Sequence, residues 1–262
     1  MIMGIVNITP DSFSDGGAFL DAHRAIDQAH RLAEEGADIL DLGAESTRPG
    51  AAPVTVAEEL DRLLPVLTGL VKLDIPISVD TLKPAVMREA LAAGASMIND
   101  VNAFRAIEAI AVIASTGAGA CVMHMQGEPR TMQADPVYAD VVSEVDTYLR
   151  ERIATLSTAG IAKDRIVIDP GFGFGKTLEH NLTLLRELSH FRHAGVAVMA
   201  GLSRKSMLGR ITGRPAGERL PASVTAAVLA VERGADIVRV HDVAATRDGL
   251  AVLAAVGGVE SR

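Results

Sequence analysis

Three segments far apart in the chain repeat one pattern: "EEGADILDLGAEST" at residues 34 to 47, "LAAGASMINDV" at 91 to 101 and "VERGADIVRVHDV" at 231 to 243. Each reads as the end of a helix, a glycine where the helix stops, a small residue, and a short apolar run that closes on polar residues. This is one helix-to-strand unit used repeatedly. Further strand-like runs, "MGIVN", "IPISVD", "GACVMHM", "RIVIDP" and "VAVMAG", alternate with helical stretches such as 55 to 72, 140 to 159 and 219 to 233. Strands are expected near residues 3, 39, 76, 97, 119, 166, 197 and 237. Eight strands alternating with helices imply a parallel (β/α)8 TIM barrel, and the nearly continuous apolar strands suit a sheet covered on both faces. A doubly wound open sheet is the competing architecture, but such nucleotide folds usually carry a phosphate loop after their first strand. Here that place holds "NITPDSFSDGG", residues 7 to 17, a polar loop with one Phe at its centre.

At 262 residues and 48% hydrophobic content the chain can bury a sizeable core, and no linker, charge block or shift in composition divides it. One barrel domain over residues 1–262 is expected. The N-terminal apolar run is short, has no basic residue before it and passes into the polar loop, which fits neither a signal peptide nor a membrane span; a cytoplasmic location is expected. Cys121 is the only cysteine, so it excludes an intramolecular disulfide and a multi-cysteine metal site, and a core thiol is expected. A net charge of −8, no Trp and 3% aromatic content argue against nucleic acid as a partner. Any anionic ligand must then be held by positive charge gathered locally.

Polar residues gather where the proposed strands end: Asn7, Asp41 and Glu45, Asp80, Asn99, His124, Asp169, Ser203 to Lys205, and Arg239 with His241. In a barrel those ends form one face, the one on which active sites are built. Any single Asp or Asn here reads equally well as a cap for the next helix. Capping does not account for a set that also holds Lys205, Arg239 and His241.

The longer motifs admit competing readings. "DPGFGFGKT", residues 169 to 177, fails the phosphate-loop pattern because Pro170 stands where glycine is needed, and it fails G-x-G-x-x-G as well. A flexible turn that displays Phe172 or Phe174, with Asp169 on the strand end, fits better; an ordinary connecting loop with one Phe packed inside is the alternative. In "GLSRKSMLG", residues 201 to 209, Lys205 precedes a helix start, where a cation opposes the helix dipole unless an anion or polar ligand is near; Ser206 is expected to cap that helix or to hold an anionic group. "VRVHD" places Arg239 and His241 on one face of the last strand, with donors suited to phosphate oxygens, beside Asn7 of the first strand. "AESTRPG", residues 44 to 50, contributes a hydroxyl, a guanidinium and a proline-fixed turn. His124 has no second histidine at zinc-ligand spacing, and His180, His190 and His193 read as surface residues.

Taken in order, "GIVNITPDSFSDGG", "GAESTRPGA", "SVDT", "IND", "MHMQGEPRTMQ", "DPGFGFGK", "GLSRKS" and "RVHDV" resemble the dihydropteroate synthases across essentially the whole chain. The first strand begins at residue 2, without the lead-in that family members usually carry. The resemblance implies a (β/α)8 barrel, usually a homodimer, that condenses 6-hydroxymethyl-7,8-dihydropterin diphosphate with p-aminobenzoate, assisted by Mg2+, and is a target of sulfonamide inhibitors. It implies that Asp80, Asn99, Met123, Asp169 and Lys205 bind the pterin and that Asn7, Arg239 and His241 hold the diphosphate, with Asn7 also near the metal. Phe13, Thr47, Arg48, Pro49, Phe174, Lys205 and Ser206 would form the p-aminobenzoate site, and Asp11, Phe13, Arg48 and Lys205 would serve the catalytic step. No side chain has the setting of a covalent nucleophile, so the amine itself is expected to attack after an SN1-like departure of diphosphate, under a lid formed by residues 8 to 20. A pterin-dependent methyltransferase barrel would share the Asp–Asn–Asp set but not the two loops or the diphosphate pair; a catalytically inactive pterin-binding paralogue would lack loop or cation positions that are all present here.

Overall fold

The computed structural model describes residues 1–8, 18–46, 53–128 and 131–257. Eight strands are present among the described residues: β1 (Ile2–Asn7), β2 (Ile39–Gly43), β3 (Ile77–Asp80), β4 (Met97–Asp100), β5 (Gly119–Met123), β6 (Ile166–Asp169), β7 (Ala197–Ala200) and β8 (Ile237–Val240). They pair in sequence order, all parallel, and β8 closes on β1 with Met3 opposite Arg239. The open-sheet alternative is thereby excluded. Around the barrel run α1 (Ala18–Glu34), α2 (Val56–Leu70), α3 (Pro84–Ala92), α4 (Ile107–Ala114), α5 (Val141–Thr158), α6 (Leu178–Arg186), α7 (Ser206–Thr212), α8 (Leu220–Glu232) and α9 (Val243–Gly257).

Local chemistry explains several of the helix starts. Thr55 accepts from the Glu58 backbone while Glu58 returns a bond to Thr55, a reciprocal cap that opens α2; Thr177 and His180 form the same arrangement at α6. Asp140 caps α5 through Val142 and Ser143, and Pro84 occupies the first turn of α3, where its missing N–H costs nothing.

The repeated glycine segments are one device in three copies. Gly36, Gly94 and Gly234 have φ of 95°, 108° and 97°, a region open to glycine, and the next residue's amide bonds back to the carbonyl five residues earlier in each case. The residue after that clamps the start of a neighbouring strand. Asp38 accepts from Ile2 N at 2.6 Å and its own amide donates to Ile2 O; Ser96 does the same with Ile77, and Asp236 with Val198. The repeat therefore ends each helix and sets the register of β1, β3 and β7 at the bottom of the barrel.

Alternate strand residues face inward. Met3, Ile39, Met97, Cys121, Met199 and Ile237 fill the barrel interior, with Val167 packed against them. Cys121 is fully buried there, as expected of a core thiol, and burial pushes its pKa well above the ordinary thiol value. The outward residues, among them Leu40, Leu42, Ile98, Val122, Ile168, Val198 and Val238, pack against the helices in a single large core. One step of two along each strand from the interior layer lie Asp41, Asp80, Asn99, Met123, Asp169 and Arg239, so the polar residues form the next layer up, at the carboxyl ends.

Candidate active site

The centre of the barrel mouth is an ion cluster. Arg239 donates through Nε to Asp41 Oδ2 at 2.6 Å and through Nη2 to Asp80 Oδ2 at 2.9 Å, spanning the barrel from β8 to β2 and β3. Asn99 donates to the same Asp41 oxygen at 3.2 Å. Asp41 is completely buried, and two carboxyl groups share one guanidinium. Burial, helped by the charge of Asp41 and opposed by Arg239, pushes the Asp80 carboxyl up to about 7. Burial also works against the charge on Arg239, but Asp41 and Asp80 outweigh it and hold the guanidinium above its ordinary value. Among the described residues, Asp41 Oδ1 and Asp80 Oδ1 are buried without a hydrogen-bond partner. An unpaired buried acceptor is costly unless a ligand donor meets it.

On the far side Asp169, at the end of β6, accepts from the Gly171 amide at 2.7 Å. Burial raises its pKa against the pull of Lys205. Lys205 stands directly before α7, yet its Nζ turns away from the helix start to donate to the Phe172 carbonyl and lies 4.7 Å from the centre of the Phe174 ring. Burial lowers it to about 8, with Asp169 opposing and Arg239 adding to the shift. Ser206 is the first residue of α7 and is exposed; no side-chain cap bond is made at that helix start, which removes the capping role considered for it. His241 follows β8, its Nδ1 3.0 Å from Ser203 Oγ and its backbone amide donating to the same oxygen. Asn7 ends β1 beside Gly43 and is half-buried.

Met123 packs in a small apolar cluster with Val101, Met125 and Met132, against which Leu82 and Phe174 lean. The turn at residues 170–176 corrects one expectation. It does not display Phe172, whose side chain is fully buried in the core, and it is far from an unrestrained turn. Lys205, Gln133, Lys176 and Tyr138 each bond one of the four successive carbonyls from Phe172 to Gly175, because a glycine-rich segment exposes peptide groups that neighbouring side chains can reach. Of the two Phe rings, Phe174 is half-buried at the mouth and Phe172 is packed, so one ring is displayed as expected and only the flexibility of the turn is corrected.

The structure thus brings together Asn7, Asp80, Asn99, Met123, Asp169, Phe174, Lys205, Arg239 and His241. Asp11, Phe13, Thr47, Arg48 and Pro49, with most of the lid at residues 8 to 20, lie outside the described residues. From the sequence Asp41 is only one of several strand-end acids. Its position two residues beyond Ile39, hence on the same inward face, was the signal for its central place. In the sequence Lys176 belongs only to a failed phosphate-loop pattern, and nothing in the spacing points to its burial.

Chemically, the mouth offers buried acceptors on one side and cations on the other. That combination suits a flat heterocycle with N–H donors that carries an anionic group. The pterin-binding enzyme family matches residues 3–241. The dihydropteroate synthase of Escherichia coli strain K12 is 48% identical over 255 residues, covering 97% of this chain and 90% of that protein. Two solved structures superpose closely. The Yersinia pestis dihydropteroate synthase with a sulfonamide drug complex has a TM-score of 0.94 at 44% identity, covering 99% of this chain and 94% of the other. The Xanthomonas albilineans dihydropteroate synthase with 4-aminobenzoic acid has a TM-score of 0.93 at 52% identity, covering 98% and 93%. With its barrel and nearly its whole length matched, the chain belongs to the pterin-binding enzyme family, among the dihydropteroate synthases.

Proposed function

We propose that this barrel, acting as one domain over residues 1–262, is a transferase that joins 6-hydroxymethyl-7,8-dihydropterin diphosphate to p-aminobenzoate, giving 7,8-dihydropteroate and diphosphate. The observation that carries the proposal is the pair of unpartnered buried oxygens, Asp41 Oδ1 and Asp80 Oδ1, beside Asn99 at the bottom of the mouth. A pterin presents ring and exocyclic N–H groups along one edge, and these would satisfy acceptors that otherwise lower stability. In this reading Asp80, Asn99, Asp169 and Lys205 hold the pterin by its polar edge and Met123 covers its face. Arg239, His241 and Asn7 hold the diphosphate, while Phe174, Lys205 and Ser206 receive p-aminobenzoate together with Phe13, Thr47, Arg48 and Pro49; Asp11, Phe13, Arg48 and Lys205 serve the catalytic step.

In the reaction the exocyclic C–O bond breaks, its electron pair leaving with the diphosphate. The ring nitrogens stabilise the resulting methylene cation, and the amine of p-aminobenzoate attacks it and then gives up a proton. Donors aimed at the departing oxygens favour the charge that develops there. Cys121 lies too deep in the barrel to act as a nucleophile, consistent with direct attack by the amine.

Among the described residues no group of three or more His, Cys, Asp or Glu side chains is placed to hold a metal. Mg2+ needs no such group, since it keeps several waters and takes substrate phosphates together with one or two protein oxygens. The Asn7 side-chain oxygen at the mouth fits that role, and the ion, when bound, would neutralise charge on the leaving diphosphate. No described helix is long and apolar enough to cross a membrane. A cytoplasmic homodimer is the form proposed, and sedimentation would report the dimer.

The deciding experiment is turnover of the two substrates with Mg2+, following both diphosphate and dihydropteroate. Pterin binding without turnover would support an inactive paralogue instead.

A further inference from the structure

Lys176 is the most deeply buried cation of the mouth, and the reaction outlined above does not use it. It is 3% exposed, and among the described residues it has no carboxylate partner at ion-pair distance. Its ammonium instead bonds neutral groups: the Phe174 carbonyl at 2.9 Å, the His124 carbonyl at 3.3 Å and His124 Nδ1 at 3.0 Å. Three donors meet three acceptors, two of them from the segment after β5 and one from the turn after β6. Burial, reinforced by Lys176, lowers His124 to about 3, so its ring is neutral and can accept. Burial lowers Lys176 itself to about 7, with Asp169 opposing.

The two segments it joins are in close contact. A Cβ on Gly171 would meet the His124 carbonyl oxygen at 1.9 Å, and one on Gly175 would meet the Gln126 carbonyl oxygen at 2.6 Å. Both glycines have positive φ, so a side chain is excluded by conformation as well as by space. Tyr138 closes the same seam by donating to the Gly175 carbonyl at 2.8 Å, and its ring lies 6.0 Å from His124. Between these two pins the Phe174 side chain projects to the mouth and rests against Lys205.

We propose that Lys176 is a positioning residue that ties the turn after β6 to the segment after β5 and so fixes the Phe174 ring over Lys205 to receive the aromatic amine substrate. This rests on the synthase reading. A buried ammonium without an ionic partner is an expensive way to hold two carbonyls if stability alone is at issue, because apolar replacements of buried charge are often neutral or stabilising. Fixing one ring against a ligand explains its presence better.

The test compares Lys176→Met, which keeps much of the side-chain volume, with the milder Tyr138→Phe. Lys176→Met is expected to raise KM for p-aminobenzoate by ~tenfold and Tyr138→Phe by about threefold, the scale set by one or two lost hydrogen bonds. KM for the pterin diphosphate should rise by less, about twofold to threefold, because Asp80 and Asn99 hold the pterin from β3 and β4 while only Asp169 and Met123 adjoin the tied segments. Unchanged constants in both variants, or equal rises for both substrates, would overturn the proposal; if Lys176→Met does not fold, Tyr138→Phe decides alone. Should the wild-type protein make no dihydropteroate, the synthase reading falls and amide exchange at residues 172–175 becomes the readout. Faster exchange there in either variant would support the tie, and unchanged exchange would refute it.

Discussion

At the mouth the charge of Asp80 acts in opposite directions on folding and on binding, whereas that of Arg239 favours both. Asp80 is held up to about 7 by burial, far above its ordinary value of 3.8. A carboxyl raised in this way binds a proton more readily folded than unfolded, so its contribution to stability is fully present at low pH and is lost as pH rises through about 7. Pterin binding has the reverse sign, since the ionised carboxylate is the better acceptor. Pterin affinity measured by calorimetry should therefore weaken as pH falls from about 8 to about 6, and Asp80→Asn should bind on the order of tenfold to a hundredfold more weakly while flattening that dependence. Arg239 is the second case. Its spacing from His241 places both on one face of the last strand beside Asn7, but does not show that Asp41 and Asp80 occupy two of its nitrogens. That pairing depends on three strands meeting across the barrel, a distance no sequence window contains. It changes what removal should do: Arg239→Ala leaves Asp41 buried without its cation, and a loss of roughly 3 kcal/mol of stability is expected in denaturant unfolding. Binding of the diphosphate substrate should suffer more than that of bare hydroxymethylpterin, and equal losses would detach Arg239 from the diphosphate.

The elements were legible where periodicity and capping agree. All eight strands lie where the apolar runs put them, because a strand covered on both faces leaves an unbroken hydrophobic signature. The helix-stopping glycines were legible for the same reason: a left-handed residue after an amphipathic run has few alternatives to Gly. The position two residues further on was not. Asp38, Ser96 and Asp236 look like ordinary polar residues at a strand entrance, and only the structure shows each holding a backbone amide at the start of a neighbouring strand. Since their task lies at the bottom of the barrel, Asp38→Ala and Asp236→Ala should each lower stability by about 1 kcal/mol, the usual net worth of one hydrogen bond. Both KM values should be unaltered, because the mouth lies at the opposite end of the strands. The turn after β6 is the element least legible in the sequence. Glycines suggested freedom, whereas the carbonyls they expose are what allow Lys176, Tyr138, Gln133 and Lys205 to hold it.

For the whole molecule, the charge balance and the barrel must be considered together. The chain carries a net charge of −8, yet the ligand proposed for its mouth is a diphosphate. Long-range attraction cannot assist capture of an anion by an acidic protein, and salt screens such fields over a length that shrinks from about 10 Å at 0.1 M to about 3 Å at 1 M. Closing the sheet solves this locally: β7 and β8 deliver Lys205, Arg239 and His241 to one end, where they act at contact distance. Contact interactions in a partly desolvated mouth respond weakly to salt, while the repulsion between an acidic surface and an incoming anion is screened away. Thus kcat/KM for the pterin diphosphate should stay level or rise by up to about threefold as ionic strength goes from ~0.05 M to ~0.3 M at fixed free Mg2+. Steered capture of an anion by a positive field would give the opposite slope, falling by tenfold or more over that range. Measuring that slope separates the two, and a steep fall would show that the local cations reach well beyond the mouth.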